Sequence, residues 1–153
     1  MRLAIAIDGA RVVMTGRIDD SAQLAPVADR VPHGEVTIDT DGVVFVNSVG
    51  MREWLRLVRV LRGRGPVVLE RVADVLMTQL NLIPDAVHGV RVASFHAPYT
   101  CPACGGEHAP VVDAVAHADE LRRLAAPRLP CPECGSAMEL GDFSERYLSI
   151  FRR

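Results

Sequence analysis

Four cysteines stand in two matching clusters, Cys101-Pro-Ala-Cys104-Gly and Cys131-Pro-Glu-Cys134-Gly, and no other residues in the chain are better placed for chemistry. In each cluster the first cysteine leads into a turn and the proline fixes φ. The glycine then accepts a backbone angle that lets both sulfurs face one point. Two such knuckles complete a tetrahedron. Zn2+ is held at tetrahedral corners by thiolates, and a filled set of four leaves no position for water or substrate. The pattern therefore predicts one structural Zn2+ ion on Cys101, Cys104, Cys131 and Cys134. The 26 residues between the pairs exceed the usual ~15–20, which implies an insertion, expected as a helix around Asp113 to Leu124. The alternatives are two disulfides or a redox CxxC pair. Cytosolic thiols are kept reduced, and a redox CxxC sits at a helix start, whereas both copies here follow an expected strand. His108 and His117 are read as surface residues outside the tetrad.

A second polar spot interrupts an apolar passage. Val44-Phe-Val-Asn-Ser-Val-Gly-Met-Arg-Glu-Trp54 runs a strand into a helix through Asn47 and Ser48. Either residue can cap the helix by accepting a free N–H. A phosphate on Ser48 would also gain ~0.3–1 kcal/mol from the helix N-terminus and would repel an acidic partner, so a regulated site is the other reading. Beyond the turn, Met51, Trp54, Leu55, Val58 and Leu61 form an apolar stripe at steps of three and four, the surest helix in the chain. Arg52, Arg56 and Arg59 form a basic ridge on another face, either a solvated surface or a dock for an acidic partner helix.

The elements that must position these residues follow from periodicity. Residues 2–7 and 11–18 are apolar stretches joined by Asp8-Gly9-Ala10, a hairpin signal. Asp20 to Val31 reads as a helix that begins late or kinks at Pro26. Glu35 to Val46 reads as a strand with a bend at Asp41-Gly42. Pro66 to Val72 is a short strand, Ala73 to Ile83 a helix closed by Pro84, and Val90 to Phe95 a further strand. This alternation predicts an α/β domain over residues 1–96, with a mixed sheet packed by helices. Past residue 97 prolines, glycines and cysteines take over, so residues 97–153 are expected as a separate small metal-binding segment.

Two resemblances follow from these residues. The cysteine pairs resemble the zinc ribbon, a β-hairpin fold, over about the last 50 residues. The strand–turn–helix at Asn47-Ser48-Val49-Gly50 resembles the STAS domain of anti-sigma factor antagonists. There, the strand ends in Asp-Ser-Ser-Gly or Asp-Ser-Thr-Gly, and a partner kinase phosphorylates the serine after the aspartate. That serine matches Ser48 and the glycine matches Gly50, while Asn47 stands in place of the aspartate and Val49 in place of the second hydroxyl. The resemblance implies a STAS-like fold over residues 1–96 and a protein partner of anti-sigma factor or kinase type. The partner-facing residues would be Asn47, Val49, Gly50, Arg52, Arg56 and Arg59.

Composition limits the rest. The formal charge is 17 − 19 = −2, and residues 101–153 carry eight acids against six arginines, which disfavours a phosphate-binding surface for nucleic acid. No run approaches the ~18 apolar residues of a membrane helix, and the first residues lack the core of a signal peptide, so a cytoplasmic protein is expected. No nucleophile–base pair, open metal site or phosphate loop is present. The sequence therefore points to a non-enzymatic binding module, with a nucleic-acid-associated ribbon protein or a purely structural subunit as rivals.

Overall fold

The computed structural model describes residues 1–152. The opening hairpin is β1 (Ala4–Asp8) and β2 (Arg11–Ile18), antiparallel, with Gly9 at φ +58 in the turn as the Asp-Gly signal requires. Val12, Met14 and Ile18 are buried while Arg11, Val13, Thr15 and Arg17 are not, so period-two alternation gives this pair one core face and one open face. Next come α1 (Val27–Arg30), β3 (Val36–Val46), α2 (Ser48–Arg62), β4 (Val67–Glu70), α3 (Asp74–Leu82) and β5 (Val90–Val92). The five strands lie in the order β1-β2-β3-β4-β5, and β2 through β5 are parallel. The fold is α/β with a mixed sheet, as the alternation of elements predicts. The register between β2 and β3 shifts near Asp41-Gly42, where the sequence indicates a bend.

Three elements differ from the sequence reading. The helix expected over 20–31 is reduced to Val27–Arg30, because Pro26 fits only ahead of the first turn. Leu24, Val27, Ala28 and Val31 are nonetheless buried as one group. The strand expected over 90–95 divides at Ala93. β5 stays on the main sheet, whereas β6 (Ser94–His96) pairs antiparallel with β9 (Val111–Asp113). That pairing also corrects the helix expected around Asp113 to Leu124. Val111–Asp113 is a strand, Asp113 Oδ1 accepts the N–H groups of Val115 and Ala116 in the following turn, and helix α4 covers only Ala118–Arg122.

The second half holds two short hairpins. β7 (Tyr99–Thr100) pairs with β8 (Glu107–His108), β10 (Leu129–Pro130) pairs with β11 (Ala137–Leu140), and β11 joins β7 in the order β10-β11-β7-β8. The chain closes with α5 (Ser144–Tyr147) and a 3-10 turn over Ser149–Arg152. The buried side chains form one cluster that runs across residue 96 and includes Leu76, Leu80, Phe95, Tyr99, Val112, Leu121, Tyr147 and Ile150. Asn81 ties the closing segment to α3: its Nδ2 donates to the Tyr147 carbonyl at 2.8 Å, and its Oδ1 accepts from Ser149 Oγ at 2.9 Å and from the Ile150 N–H at 3.1 Å. Tyr147 Oη donates to the His96 carbonyl at 2.6 Å, and the Phe95 and Phe151 rings lie 5.1 Å apart. The 96/97 junction thus falls inside a continuous apolar core. Among the described residues no helix is long and apolar enough to cross a membrane.

Candidate functional site

The two cysteine clusters fold as near copies. In the first, the Gly105 N–H donates to the Cys101 carbonyl at 2.8 Å and the Cys101 N–H to the Gly106 carbonyl at 2.9 Å. In the second, Gly135 donates to Cys131 at 2.8 Å and Cys131 to Ser136 at 2.7 Å. Gly105 and Gly135 take φ +76 and +77, the left-handed angles expected of a glycine at this point. These turns bring all four sulfurs within 4.8 Å of one another. Cys101 and Cys134 Sγ are 3.5 Å apart, and Cys104 and Cys131 Sγ are 3.7 Å apart. Both separations are far too long for a covalent bond of ~2.05 Å and close to the ~3.8 Å edge of a tetrahedron built on ~2.3 Å metal–sulfur bonds. The cysteines are free, and as a donor set they fit one metal ion.

The protons on the tetrad are unevenly held. The Cys134 thiol is pulled down to about 6 by the backbone N–H of Ser136, then by the Ser136 hydroxyl and Cys101. For Cys104 the Gly106 N–H favours the thiolate, but the adjacent sulfur of Cys101, with burial and the other cysteines, outweighs it and pushes the thiol up to about 12. Four crowded sulfurs cannot all ionise without a cation, so uptake of a metal and release of protons are one event. Cys101 and Cys131 are buried, whereas Cys104 and Cys134 are exposed. Two further donors lie beside the tetrad. His108 Nε2 is 3.1 Å from Glu133 Oε2 and 4.0 Å from Cys131 Sγ.

The Ser48 turn is built by β3 ending where α2 begins. Asn47 is extended (φ −121, ψ 179), its Oδ1 accepts the Gly50 N–H at 2.9 Å, and its carbonyl accepts the Met51 N–H at 2.9 Å, so Asn47 is the N-cap. Ser48 is the exposed first helical residue, and the first turn carries no acidic side chain. Val49, Arg52, Arg56 and Arg59 are exposed as well, with Arg56 paired to Glu53 at 2.8 Å. Gly50 does not belong with them. It is buried, and a Cβ there would lie 1.9 Å from the Ile18 carbonyl oxygen. Its place in the motif is explained by the helix seating on the end of β2, and it offers no surface to a partner. Trp54 is fully buried and belongs to the core, and its indole N–H is the one buried side-chain polar atom without a partner among the described residues.

A third cluster was not visible in the sequence. The Asp39 carboxylate on β3 is fully buried and accepts from Arg11 Nη2 at 2.9 Å and from Arg71 Nε and Nη2 at 3.0 and 2.6 Å. Arg11 also reaches Glu70 at 2.7 Å, and Asp41 meets His96 Nε2 at 2.5 Å, while His96 Nδ1 faces the Ala109 carbonyl at 2.7 Å. Arg71 adopts φ +43, a left-handed angle unusual for a side-chain-bearing residue, and its guanidinium covers Asp39 from that position. The only signal was acidic residues inside a β-branched strand flanked by arginines at distant strand ends. Comparison with models of known families, with curated proteins and with solved structures yields no match to this chain.

Proposed function

We propose that the protein is a non-enzymatic protein-binding module of the STAS type, acting in bacterial signalling, with a structural Zn2+ held by a ribbon of two knuckles. The observation that carries the reading is the Ser48 turn: an exposed serine at the head of a fifteen-residue helix, capped by its neighbour and seated through a glycine that tolerates no side chain. The opening hairpin, one of the features on which the STAS resemblance rests, supports the reading. Ser48, Arg52, Arg56 and Arg59 recur at steps of four, four and three, so they share one exposed helix face, and an acidic partner would meet the arginines and the serine together. A phosphate on Ser48 would sit at the positive end of α2 and would turn that contact repulsive.

The preference for Zn2+ rests on ligand chemistry. Four thiolates at tetrahedral spacing suit a d10 ion, and a closed coordination sphere serves structure. The most conspicuous carboxylate, Asp39, is occupied by two arginines, and His96 by Asp41 and a carbonyl, so these groups hold strands together. Purification from the native host with its bound partner, followed by intact mass, tests the reading. A Ser48-dependent phosphate should appear and should be absent from a Ser48→Ala variant, and an Arg52→Glu/Arg56→Glu variant should lose the partner. A partner retained by both Ser48→Asp and the double arginine variant would overturn it.

A further inference from the structure

We infer that the cysteine tetrad is one half of a two-metal cluster, and that a second divalent cation binds beside it on Cys131, with His108 and Glu133 as outer ligands. The inference rests on the tetrad holding the first ion. His108 and Glu133 lie beside Cys131, and the ligand atoms of these three residues are all within 4.8 Å of one another. His108 Nε2 is 4.0 Å from Cys131 Sγ, Glu133 Oε2 is 4.0 Å from Cys104 Sγ, and the two outer donors are 3.1 Å apart. With metal bonds of ~2.3 Å to sulfur, ~2.1 Å to nitrogen and ~2.1 Å to oxygen, a single ion can bridge any of these pairs. Each separation is shorter than the sum of the two bonds it must accommodate, about 4.2 Å for nitrogen with oxygen and about 4.4 Å for sulfur with either. His108, Cys131 and Glu133 thus form a three-donor group that shares Cys131 with the tetrad.

The glycine at position 106 leaves room for these donors to converge. A Cβ at position 106 would lie 2.2 Å from Glu133 Oε2, 3.1 Å from His108 Nε2 and 3.3 Å from Cys104 Sγ, where the two outer donors meet the tetrad. The knuckle does not need glycine there. The equivalent position of the second knuckle is Ser136, which accepts the matching hydrogen bond, and Gly106 has no left-handed φ. Charge favours a cation as well. One divalent ion among four thiolates leaves an excess of negative charge, to which the Glu133 carboxylate adds.

Reconstitution of the metal-free full chain with Zn2+ or Co2+, with metal counted per chain after dialysis, tests the proposal. The wild type should take up two ions, the second released first by a mild chelator, and Co2+ should give thiolate charge-transfer absorption that changes between the first and second equivalents. His108→Ala, Glu133→Gln and Gly106→Ala should each lower uptake from two to one, and the first two leave both knuckle backbones intact. Saturation of the wild type at one ion, unchanged in His108→Ala, would overturn the second site and leave the tetrad standing. Uptake of no ion would overturn both.

Discussion

Replacement of Gly50 by alanine isolates the packing that fixes the Ser48 turn. In most helix positions this change stabilises by ~0.8–1 kcal/mol, because alanine is the better helix former. Here the new Cβ would lie 1.9 Å from the Ile18 oxygen, 2.4 Å from the Ile18 carbonyl carbon and 2.9 Å from the Asp19 nitrogen, all backbone atoms that cannot swing aside. Ordinary contact needs about 1.5 Å more than the shortest of these, so the start of α2 must lift from β2. Overpacking of this kind costs ~1–3 kcal/mol, and weakening of the Asn47 cap, which accepts the N–H of the same residue at 2.9 Å, adds ~0.5–2 kcal/mol. The propensity gain offsets part of this, leaving a net loss of about 2 kcal/mol. Urea unfolding followed by the fluorescence of Trp54, the single tryptophan, measures it directly, since Trp54 is fully buried on the same helix. For a chain of this size the loss corresponds to a fall in Tm of roughly 4–8 °C. Asn47→Ala alone should cost about 1 kcal/mol, Ser48→Ala close to nothing, and the Gly50→Ala/Asn47→Ala pair less than the sum of its parts. A Gly50→Ala protein as stable as the wild type, or more so, would refute the seating of α2 on Ile18.

Chelation of the proposed metal should raise hydrogen exchange across residues 99–141, whose strands are two to four residues long. The Ser144–Arg152 segment should remain protected through Asn81 and Phe95, and Trp54 fluorescence should hardly move. The chain has two tyrosines, and both resist ionisation: burial, with the charge of Glu120, pushes Tyr99 up to about 12, and burial, with Asp74 and Asp142, pushes Tyr147 higher still. A raised phenol contributes stability below its unfolded value near 10 that is lost as pH rises through the folded value. Tyrosinate absorbance should therefore stay flat through pH ~10 and rise near 12 together with unfolding, and a normal titration near 10 would contradict the burial. Asp39→Asn keeps the shape but removes the charge from three hydrogen bonds, so a loss of about 2 kcal/mol in urea is expected, and no loss would mean that Arg11 and Arg71 contribute only packing.

What could be read from the sequence was whatever depends on near neighbours. The hairpin at Asp8-Gly9, the apolar stripe of α2, the cap at Asn47 and the twin knuckles each arise within about fifteen residues, and local propensity agrees there with the final packing. The misreadings come where distant pairing overrides local pattern. Asp113 reads as the start of a helix until β6 arrives to pair with Val111–Asp113, while β6 itself keeps a parallel bridge from Phe95 to Val72 beyond the end of β4. The expected boundary at 96 rested on a change of composition. Composition does not reveal that Tyr147 and Ile150 return to bury against α3 and Phe95. A groove of about 580 Å³ between β5, α4 and the closing turn, lined by Val90, Arg91, Arg122 and Phe151, has the same origin, since its walls come from three separated segments.

The shared core changes what a structural metal would do here. Hairpins with strands of two residues cannot hold their own register, because each fixed residue costs ~1–2 kcal/mol of backbone entropy and few apolar contacts repay it. A metal across Cys101, Cys104, Cys131 and Cys134 would close both hairpins at once and order β7, whose Tyr99 is buried with its hydroxyl bonded to the Pro127 carbonyl at 2.6 Å. Cys101, Cys131 and Met138 then belong to the same buried cluster as Leu76 and Phe95, so the order imposed at the knuckles is passed by packing to the rest of the chain. The Asp41–His96–Ala109 bridge is a second link: it joins the middle of β3 to the loop after β8. The β3 that carries Asp41 runs on to Asn47 and Ser48. Order in the four-cysteine segment thus bears, through the shared core and this bridge, on β3, the strand that runs into the Ser48 turn.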